Sequence, residues 1–140
     1  MRLLVGDVLP AAPLADPGSL IDVGSGNGSP GLVFALVRDD LEVTLLEPRA
    51  RRWAFLREAV RSAGRGVRVL RLRHDGYTGP PARTLTLRAL ALPLAELGKL
   101  VLPGGRVLVL GGHPEAGGPF APTGEGADVP GGVTVFRRVG

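Results

Sequence analysis

The residues best suited to chemistry form a glycine cluster directly after a short apolar run. The run ends in Asp22 and Val23, and the cluster consists of Gly24, Ser25, Gly26, Asn27 and Gly28. Glycines at a strand-to-helix turn let backbone amides converge where a ligand can approach without intervening side chains. Glu47 follows the next apolar run, 25 residues after Asp22, where its carboxylate can accept hydrogen bonds from two ribose hydroxyls. Together these residues predict a site for a nucleoside cofactor.

Three other interpretations of this loop are weighed against its residues. A tight strand-to-helix turn that binds nothing stays open, because a glycine-rich turn alone is weak support for a ligand. A dinucleotide fingerprint that starts at Gly24 and Gly26 would need glycine in place of Ser29. ATP would need a Gly-Lys-Ser/Thr ending to hold its phosphates and magnesium. S-adenosylmethionine has a ribose and a carboxylate but no phosphate, and it is therefore compatible with the glycine cluster and Glu47.

Six short apolar runs predict the strands that position this loop. They lie at residues 19–23, 42–46, 67–72, 84–87, 107–110 and 133–136. Such short runs, bounded by glycine and proline, are typical of strands that are buried in a sheet.

Helical patterns lie between these runs. The first follows Ser29 and Pro30, a favourable helix start, and places four apolar residues on one face: Leu32, Val33, Leu36 and Val37. The second covers residues 49–63, with a stripe of Trp53, Leu56 and Val60. Residues 89–102 are helix-like but interrupted by proline, and residues 102–105 predict a sharp turn.

The alternation of strands and helices predicts the α/β class. The expected architecture is a three-layer α/β/α, Rossmann-like sheet that is mostly parallel, with the last strand as an antiparallel edge. With 140 residues, the chain is expected to form one domain over residues 1–140. Residues 1–18 would be a lead-in, and the glycine- and proline-rich residues 111–132 a flexible or irregular loop.

Composition excludes several classes of site. The chain has no cysteine and only two histidines, so we expect neither a disulfide framework nor a structural metal. Asp7 and Pro10 interrupt the apolar N-terminal stretch, which argues against a secretory signal. No run approaches the roughly 20 apolar residues of a membrane span. The expected location is therefore the cytoplasm, with no membrane partner.

Arginine dominates the positive charge of the chain, which is formally +4. Six arginines lie on and beside the second predicted helix: Arg49, Arg51, Arg52, Arg57, Arg61 and Arg65. They are consistent with a face that contacts RNA phosphates in a salt-sensitive way. The sequence alone favours the simpler interpretation, a solvated helix face that is partly paired with Glu58.

The segment from Leu20 to Gly31 (LIDVGSGNGSPG) resembles the first motif of class I methyltransferases. Its Pro-Gly ending is similar to the glucose-inhibited division protein B family. Further stretches match that family in collinear order as far as Gly112. They are VTLLEPR at residues 43–49, Arg52, FLR at 55–57, LRALA at 87–91 and LPGGRVL at 102–108.

The resemblance implies an S-adenosylmethionine-dependent enzyme that methylates guanine N7 in small-subunit ribosomal RNA. It implies that Asp22 orders the glycine loop and approaches the cofactor's amino group, and that Glu47 holds the ribose. His74 and Asp75 would lie beside the adenine, and Arg88 either faces the substrate or pairs with an acid on the surface. The implied cofactor-binding set is Asp22, Gly24, Ser25, Gly26, Gly28, Glu47, Pro48, His74 and Asp75.

Three departures from the family pattern motivate a second hypothesis, whereas a third hypothesis is independent of them and has the position of Ser29 against it. Only about nineteen residues precede Leu20, where the family has a helical segment. Gly111 stands where the family usually has lysine, and Ser29 where it usually has an aromatic residue. The second hypothesis is therefore a non-catalytic cofactor-binding domain that needs a partner, and the third is a nicotinamide-dependent enzyme.

Overall fold

Seven strands form one sheet in the computed structural model, which describes residues 8–24, 30–64, 66–88, 92–112 and 114–140. The order across the sheet is β3-β2-β1-β4-β5-β7-β6. Strands β1 to β5 pair in parallel, whereas β7 is antiparallel to both β5 and β6. The strands are β1 Gly18–Val23, β2 Leu41–Leu46, β3 Arg68–Leu70, β4 Ala82–Arg88, β5 Val101–Leu110, β6 Phe120–Pro122 and β7 Val133–Arg138.

The helices form layers on both faces of this sheet. One face packs against helix α1 (Pro30–Val37), helix α2 (Ala50–Ala63) and a 3₁₀ segment at Leu9–Leu14. The other face packs against a 3₁₀ segment at Leu94–Leu100 and against Tyr77, which follows a 3₁₀ segment at His74–Gly76. The predicted mostly parallel α/β fold is thus confirmed, although short 3₁₀ turns make up the second helical layer.

Burial along α1 differs from the predicted stripe. All residues from Pro30 to Ala35 are buried, whereas Leu36 and Val37 are exposed. The helix has only eight residues and is covered both by the sheet and by the segment Leu9–Leu14. Whether a residue of α1 is buried therefore depends more on how near it lies to the start of the helix than on which face of the helix it occupies. The second predicted stripe holds better, because Leu56 and Val60 are buried in α2.

Strand β5 begins earlier than the sequence pattern indicates. The turn predicted at residues 102–105 lies inside β5 as a bulge: Ala82 pairs with Val101, but Thr84 pairs with Arg106. Gly104 has a φ of +78°, which glycine adopts without strain. The helix-like pattern at 89–102 corresponds to the 3₁₀ segment Leu94–Leu100, and residues 89–91 lie outside the described residues.

The C-terminal third contains more regular structure than predicted. Strand β6 interrupts the loop expected over residues 111–132, and its Phe120 is buried. β7 is antiparallel, as predicted, but β6 covers its outer side, so β7 is not the edge of the sheet. A lone phenylalanine among glycines and prolines gave too short a pattern to predict a strand.

Two arginines attach residues 9–15 to the rest of the fold, Arg38 from the end of α1 and Arg106 from β5. Arg38 Nη1 donates hydrogen bonds to Ala12 O at 2.9 Å and Ala15 O at 2.6 Å, and Arg106 Nη1 donates to Leu14 O at 3.0 Å. The guanidinium of Arg38 also bonds Asp40, and this hydrogen bond holds the pKa of the Asp40 carboxyl below its ordinary value. The pair's contribution to stability is therefore present above the ordinary pKa of aspartate and is lost as the pH falls through the lowered value.

We expect Arg38→Gln to lower the free energy of unfolding by about 2 kcal/mol, because two charge-assisted bonds to carbonyl oxygens are lost. Amide hydrogen exchange should accelerate first around residues 9–15, and NMR titration should show the pKa of Asp40 returning toward its ordinary value. Arg61→Gln is the matched control, since the exposed Arg61 bonds only Glu58 among the described residues. Equal effects of the two variants would contradict this role of Arg38.

Candidate functional site

The candidate site lies at the carboxyl ends of the central strands. From β1 the chain builds the sheet outward through β2 and β3 on one side, and then through β4 and β5 on the other. Ligands of open α/β sheets bind in the crevice at such a reversal. Gly24 follows β1, Glu47 follows β2 and Arg88 ends β4, so the fold brings these three predicted residues to one edge.

Asp22 is fully buried in β1 and is held from the neighbouring strand. Its Oδ1 accepts a hydrogen bond of 2.5 Å from Thr86 Oγ1 of β4. Helix α1 approaches it closely, because a β-carbon placed on Gly31 would lie 2.5 Å from Asp22 Cβ. Glycine at this position therefore lets the helix start lie directly against the aspartate. Asp22 therefore lies directly against the start of α1, and its role in ordering the preceding loop stays a prediction.

The loop itself is described only at its first residue. Gly24 has a φ of +68° and donates its N–H to Leu46 O at 3.0 Å, which ties the end of β1 to the end of β2. Three predicted cofactor-binding residues, Ser25, Gly26 and Gly28, lie outside the described residues, as do Asn27 and Ser29. Their assignment stays a prediction.

Glu47 is 1% exposed although it carries a carboxylate. Its Oε2 accepts the backbone N–H of Arg49 at 2.7 Å, and its own N–H donates to Leu70 O at 3.0 Å. The first bond satisfies an amide at the start of α2, and the second attaches the residue to β3. The carboxylate is thus held rigidly beside the end of β2, as ribose binding would require.

A cavity of about 180 Å³ lies next to Glu47. Its wall combines this acid with apolar side chains, a buried histidine and two arginines: Val23, Gly24, Glu47, Pro48, Arg49, Leu72, Arg73, His74 and Leu92. His74 is buried, and its Nε2 lies 3.3 Å from Glu96 Oε2. The structure therefore brings Gly24, Glu47, Pro48 and His74 together around one space, and their binding of a cofactor stays a prediction.

Two predicted residues are placed differently. Asp75 is exposed and does not line this cavity; its Oδ1 lies 3.4 Å from Arg73 Nε, and its carbonyl accepts a hydrogen bond from Lys99. Arg88 is half-buried at the end of β4, on the same strand face as Thr84 and Thr86. It also lies outside the cavity wall.

Sequence reasoning missed Thr86, whose hydroxyl bonds Asp22. The alternation Thr84-Leu85-Thr86-Leu87 could have indicated that both threonines share one buried face of β4. Sequence reasoning also gave no role in a site to Leu72, the last residue of the strand predicted at 67–72, or to Leu92, which lies in the helix-like pattern at 89–102.

A larger groove of about 470 Å³ lies at the opposite, amino-terminal end of the strands. Its lining includes Ser19 of β1, Glu42 of β2, Arg68 of β3 and Tyr77. Residues from the amino-terminal parts of β1 and β2 form much of this wall, and none of the predicted cofactor-binding residues line it. The candidate site is therefore the smaller cavity beside Glu47, because several of the predicted cofactor-binding residues line it and do not line the larger groove.

We expect Thr86→Val to lower the free energy of unfolding by about 1–3 kcal/mol, because the buried Asp22 carboxylate loses a donor. Chemical denaturation would measure the change. Thr86→Ser keeps the hydroxyl and should retain most of the stability. If serine and valine were equally harmful, lost packing of the methyl group would explain the effect and the hydrogen bond would not.

Comparison with known proteins now adds to this geometry. The model of the family described as "GidB: rRNA small subunit methyltransferase G" matches residues 1–116. The chain belongs to the GidB family. A curated relative, the ribosomal RNA small subunit methyltransferase G of Salinispora arenicola, is 47% identical over 112 residues, covering 71% of this chain and 46% of the relative. The chain thus spans about half the length of the GidB relatives it matches.

Solved structures share the fold of this GidB-family chain. An rRNA methylase from Streptococcus thermophilus superposes with a TM-score of 0.65 at 13% identity, over 100% of this chain and 98% of the other. The S-adenosylmethionine-dependent methyltransferase SibL gives a TM-score of 0.69 at 19% identity, over 95% and 54%. Across the described part of the chain, every helix is too short or too polar to span a membrane.

Proposed function

We propose that this chain is an S-adenosylmethionine-dependent methyltransferase that acts on guanine N7 of small-subunit ribosomal RNA. The observation that carries the proposal is the buried carboxylate of Glu47 on the wall of the cavity next to the glycine loop. Membership of the GidB family supports the RNA substrate, since the matched relatives are named as ribosomal RNA methyltransferases.

The residues around the cavity suit the nucleoside end of S-adenosylmethionine. Glu47 would accept hydrogen bonds from the ribose hydroxyls, and Val23, Leu72 and Leu92 would contact the flat faces of the adenine. A volume of about 180 Å³ suits a base with part of its sugar, because complete ligand pockets usually measure 300–1,000 Å³. When bound, the cofactor supplies an electrophilic methyl group on a sulfonium.

The chain's own task would be to position the two reactants. Guanine N7 attacks with a ring lone pair, so no side chain has to remove a proton before transfer. Holding nucleophile and methyl donor in line at near-contact distance is then the main source of acceleration. Asp22, fixed by Thr86, would order the loop for this purpose, while Arg88 at the end of β4 would face the RNA. His74 and Asp75 need not act as bases.

Methyl transfer to undermethylated small ribosomal subunits tests the proposal. Labelled S-adenosylmethionine should transfer its methyl group to the 16S RNA, and nuclease digestion should recover the label in 7-methylguanosine. Calorimetry with S-adenosylhomocysteine should give saturable binding. Cofactor binding without transfer to any RNA would support a non-catalytic domain and overturn the enzyme proposal. Saturable NAD binding without binding of the methyl donor would overturn both.

A further inference from the structure

Positive charge is unevenly distributed along the chain. Residues 49–73 carry nine arginines and one acid, Glu58, which is a formal charge of +8. Since the whole chain carries +4, all other residues together are net negative at −4. This segment comprises α2, β3 and their flanking residues, so the charge is concentrated at one side of the sheet.

Several arginines elsewhere in the described structure bind the protein's own backbone. Arg38 and Arg106 hold the segment Leu9–Leu14, as described above. Arg138 donates to Gly98 O at 3.0 Å and also bonds Val101 O, which attaches β7 to the end of the 3₁₀ segment Leu94–Leu100. These guanidinium groups are occupied in stabilising the fold.

A second set of arginines is exposed along α2 and the edge strand β3. We call this set the basic edge, and it consists of Arg49, Arg51, Arg57, Arg68, Arg71 and Arg73. Within the described residues, only Arg73 among them has an acidic partner, Asp75 at 3.4 Å. Arg71 makes one long bond of 3.4 Å to Pro48 O. Most of these charges are therefore available to an external anion.

Trp53 joins the helix and the strand of the basic edge. Its Nε1 donates to Val69 O of β3 at 3.3 Å, and the guanidinium of Arg57 lies 4.7 Å from the centre of its ring. Stacking on an indole occupies the face of a guanidinium and leaves its N–H edge for phosphate oxygens. Arg57 is thus held in place for binding without being neutralised.

We propose that the basic edge is a docking surface for the phosphates of RNA. This inference rests on the proposed function, because it extends the RNA contact outward from the cofactor cavity, whose wall already includes Arg49 and Arg73. An RNA backbone presents regularly spaced anions that several guanidinium groups can contact at once. An acidic membrane fits less well, because α2 buries Leu56 and Val60 and exposes only Phe55 among its large aliphatic and phenylalanine side chains.

Two double variants with equal loss of charge test this surface. Arg57→Gln/Arg71→Gln alters the basic edge but no residue of the cofactor cavity. Arg83→Gln/Arg137→Gln is the control on β4 and β7, where both arginines are exposed. Arg137 matches Arg71, since each makes one 3.4 Å bond to a carbonyl oxygen, whereas Arg83 differs from Arg57 in lying 3.9 Å from Asp16 Oδ2. Binding to protein-free 16S ribosomal RNA is measured between about 50 and 200 mM salt.

We expect the basic-edge double variant to raise the Kd for RNA about 10-fold and to lower the slope of log K against log salt by about 1.4 to 1.8, or roughly 0.7–0.9 per lost phosphate contact. The KM for ribosomal subunits should rise while kcat and S-adenosylhomocysteine binding stay unchanged. The control double variant should leave both the Kd and the slope near wild-type values.

The outcomes separate this inference from the proposed function. Equal weakening by both double variants would overturn the inference, since overall charge would explain the binding. Normal RNA binding and normal methyl transfer by the basic-edge variant would also overturn the inference, but the proposed function would then stand. RNA binding that depends on the basic edge, without methyl transfer by wild type, would support the inference alone. Loss of binding to phosphatidylserine vesicles without any change in RNA affinity would identify a membrane surface and overturn it.

Discussion

Gly31→Ala is expected to destabilise the protein by about 3 kcal/mol or more, which corresponds to a fall in Tm of roughly 10 °C. The added β-carbon would lie 2.5 Å from Asp22 Cβ, 2.9 Å from Asp22 Cγ and 3.0 Å from Leu45 Cδ2. All three atoms belong to central strands, β1 and β2, which their neighbours hold on both sides. The helix start would have to move away from the sheet, which would also displace the glycine loop.

Denaturant unfolding followed by the fluorescence of Trp53, the chain's single tryptophan, would measure this effect. Gly66→Ala is the matched control, because a β-carbon there meets nothing within 4 Å. This second variant should leave stability almost unchanged. A mild effect of Gly31→Ala would mean that α1 can shift freely and that its contact with Asp22 does not determine the loop.

Glu47→Ala is expected to weaken S-adenosylhomocysteine binding by at least about 100-fold. The variant removes an acceptor for two ribose hydroxyls, and hydrogen bonds to a charged group are worth about 1.5–3 kcal/mol each. Glu47→Gln keeps one acceptor oxygen and should be weaker than wild type by roughly tenfold. Both values would come from calorimetry on folded protein, with methyl transfer lost in parallel at low cofactor concentration.

Folding must be separated from binding in this experiment, because Glu47 also accepts the N–H of Arg49 at the start of α2. The matched control is Glu42→Gln, which removes a carboxylate from the opposite end of the same strand. It should bind S-adenosylhomocysteine as wild type does. If folded Glu47→Ala bound S-adenosylhomocysteine with unchanged affinity, the ribose would not bind at Glu47, and the cavity would have no assigned ligand.

The parts of the fold that could be predicted are those with strong local patterns. β1 and β2 are apolar runs closed by glycine or proline, and α2 combines a stripe of Leu56 and Val60 with a glycine stop at Gly64, which has a φ of +68°. Glu47 follows β2 directly, so its position at the carboxyl ends of the strands could be predicted from the parallel topology. Burial of the carboxylate is what tertiary structure added.

Other features depend on contacts between distant residues and could not be predicted from local pattern. The bulge in β5 is defined by pairing with β4, and the sequence Leu102-Pro103-Gly104-Gly105 is equally typical of a simple turn. The hydrogen bond from Thr86 to Asp22 joins residues 64 positions apart. Asp75 is adjacent to His74 in sequence, but a 3₁₀ turn buries His74 and exposes Asp75.

The position of β7 between β5 and β6 has a consequence for the order of events during translation. Within the described sheet, β6 pairs with β7 alone, yet it leaves the ribosome first. Translation adds about 5–20 residues per second. Until β7 has been made, β6 has no strand to pair with, and the outer side of β5 presents unpaired amides and carbonyls. Until β7 pairs with both β5 and β6, the outer edge of β5 therefore stays open to pairing with strands of other chains.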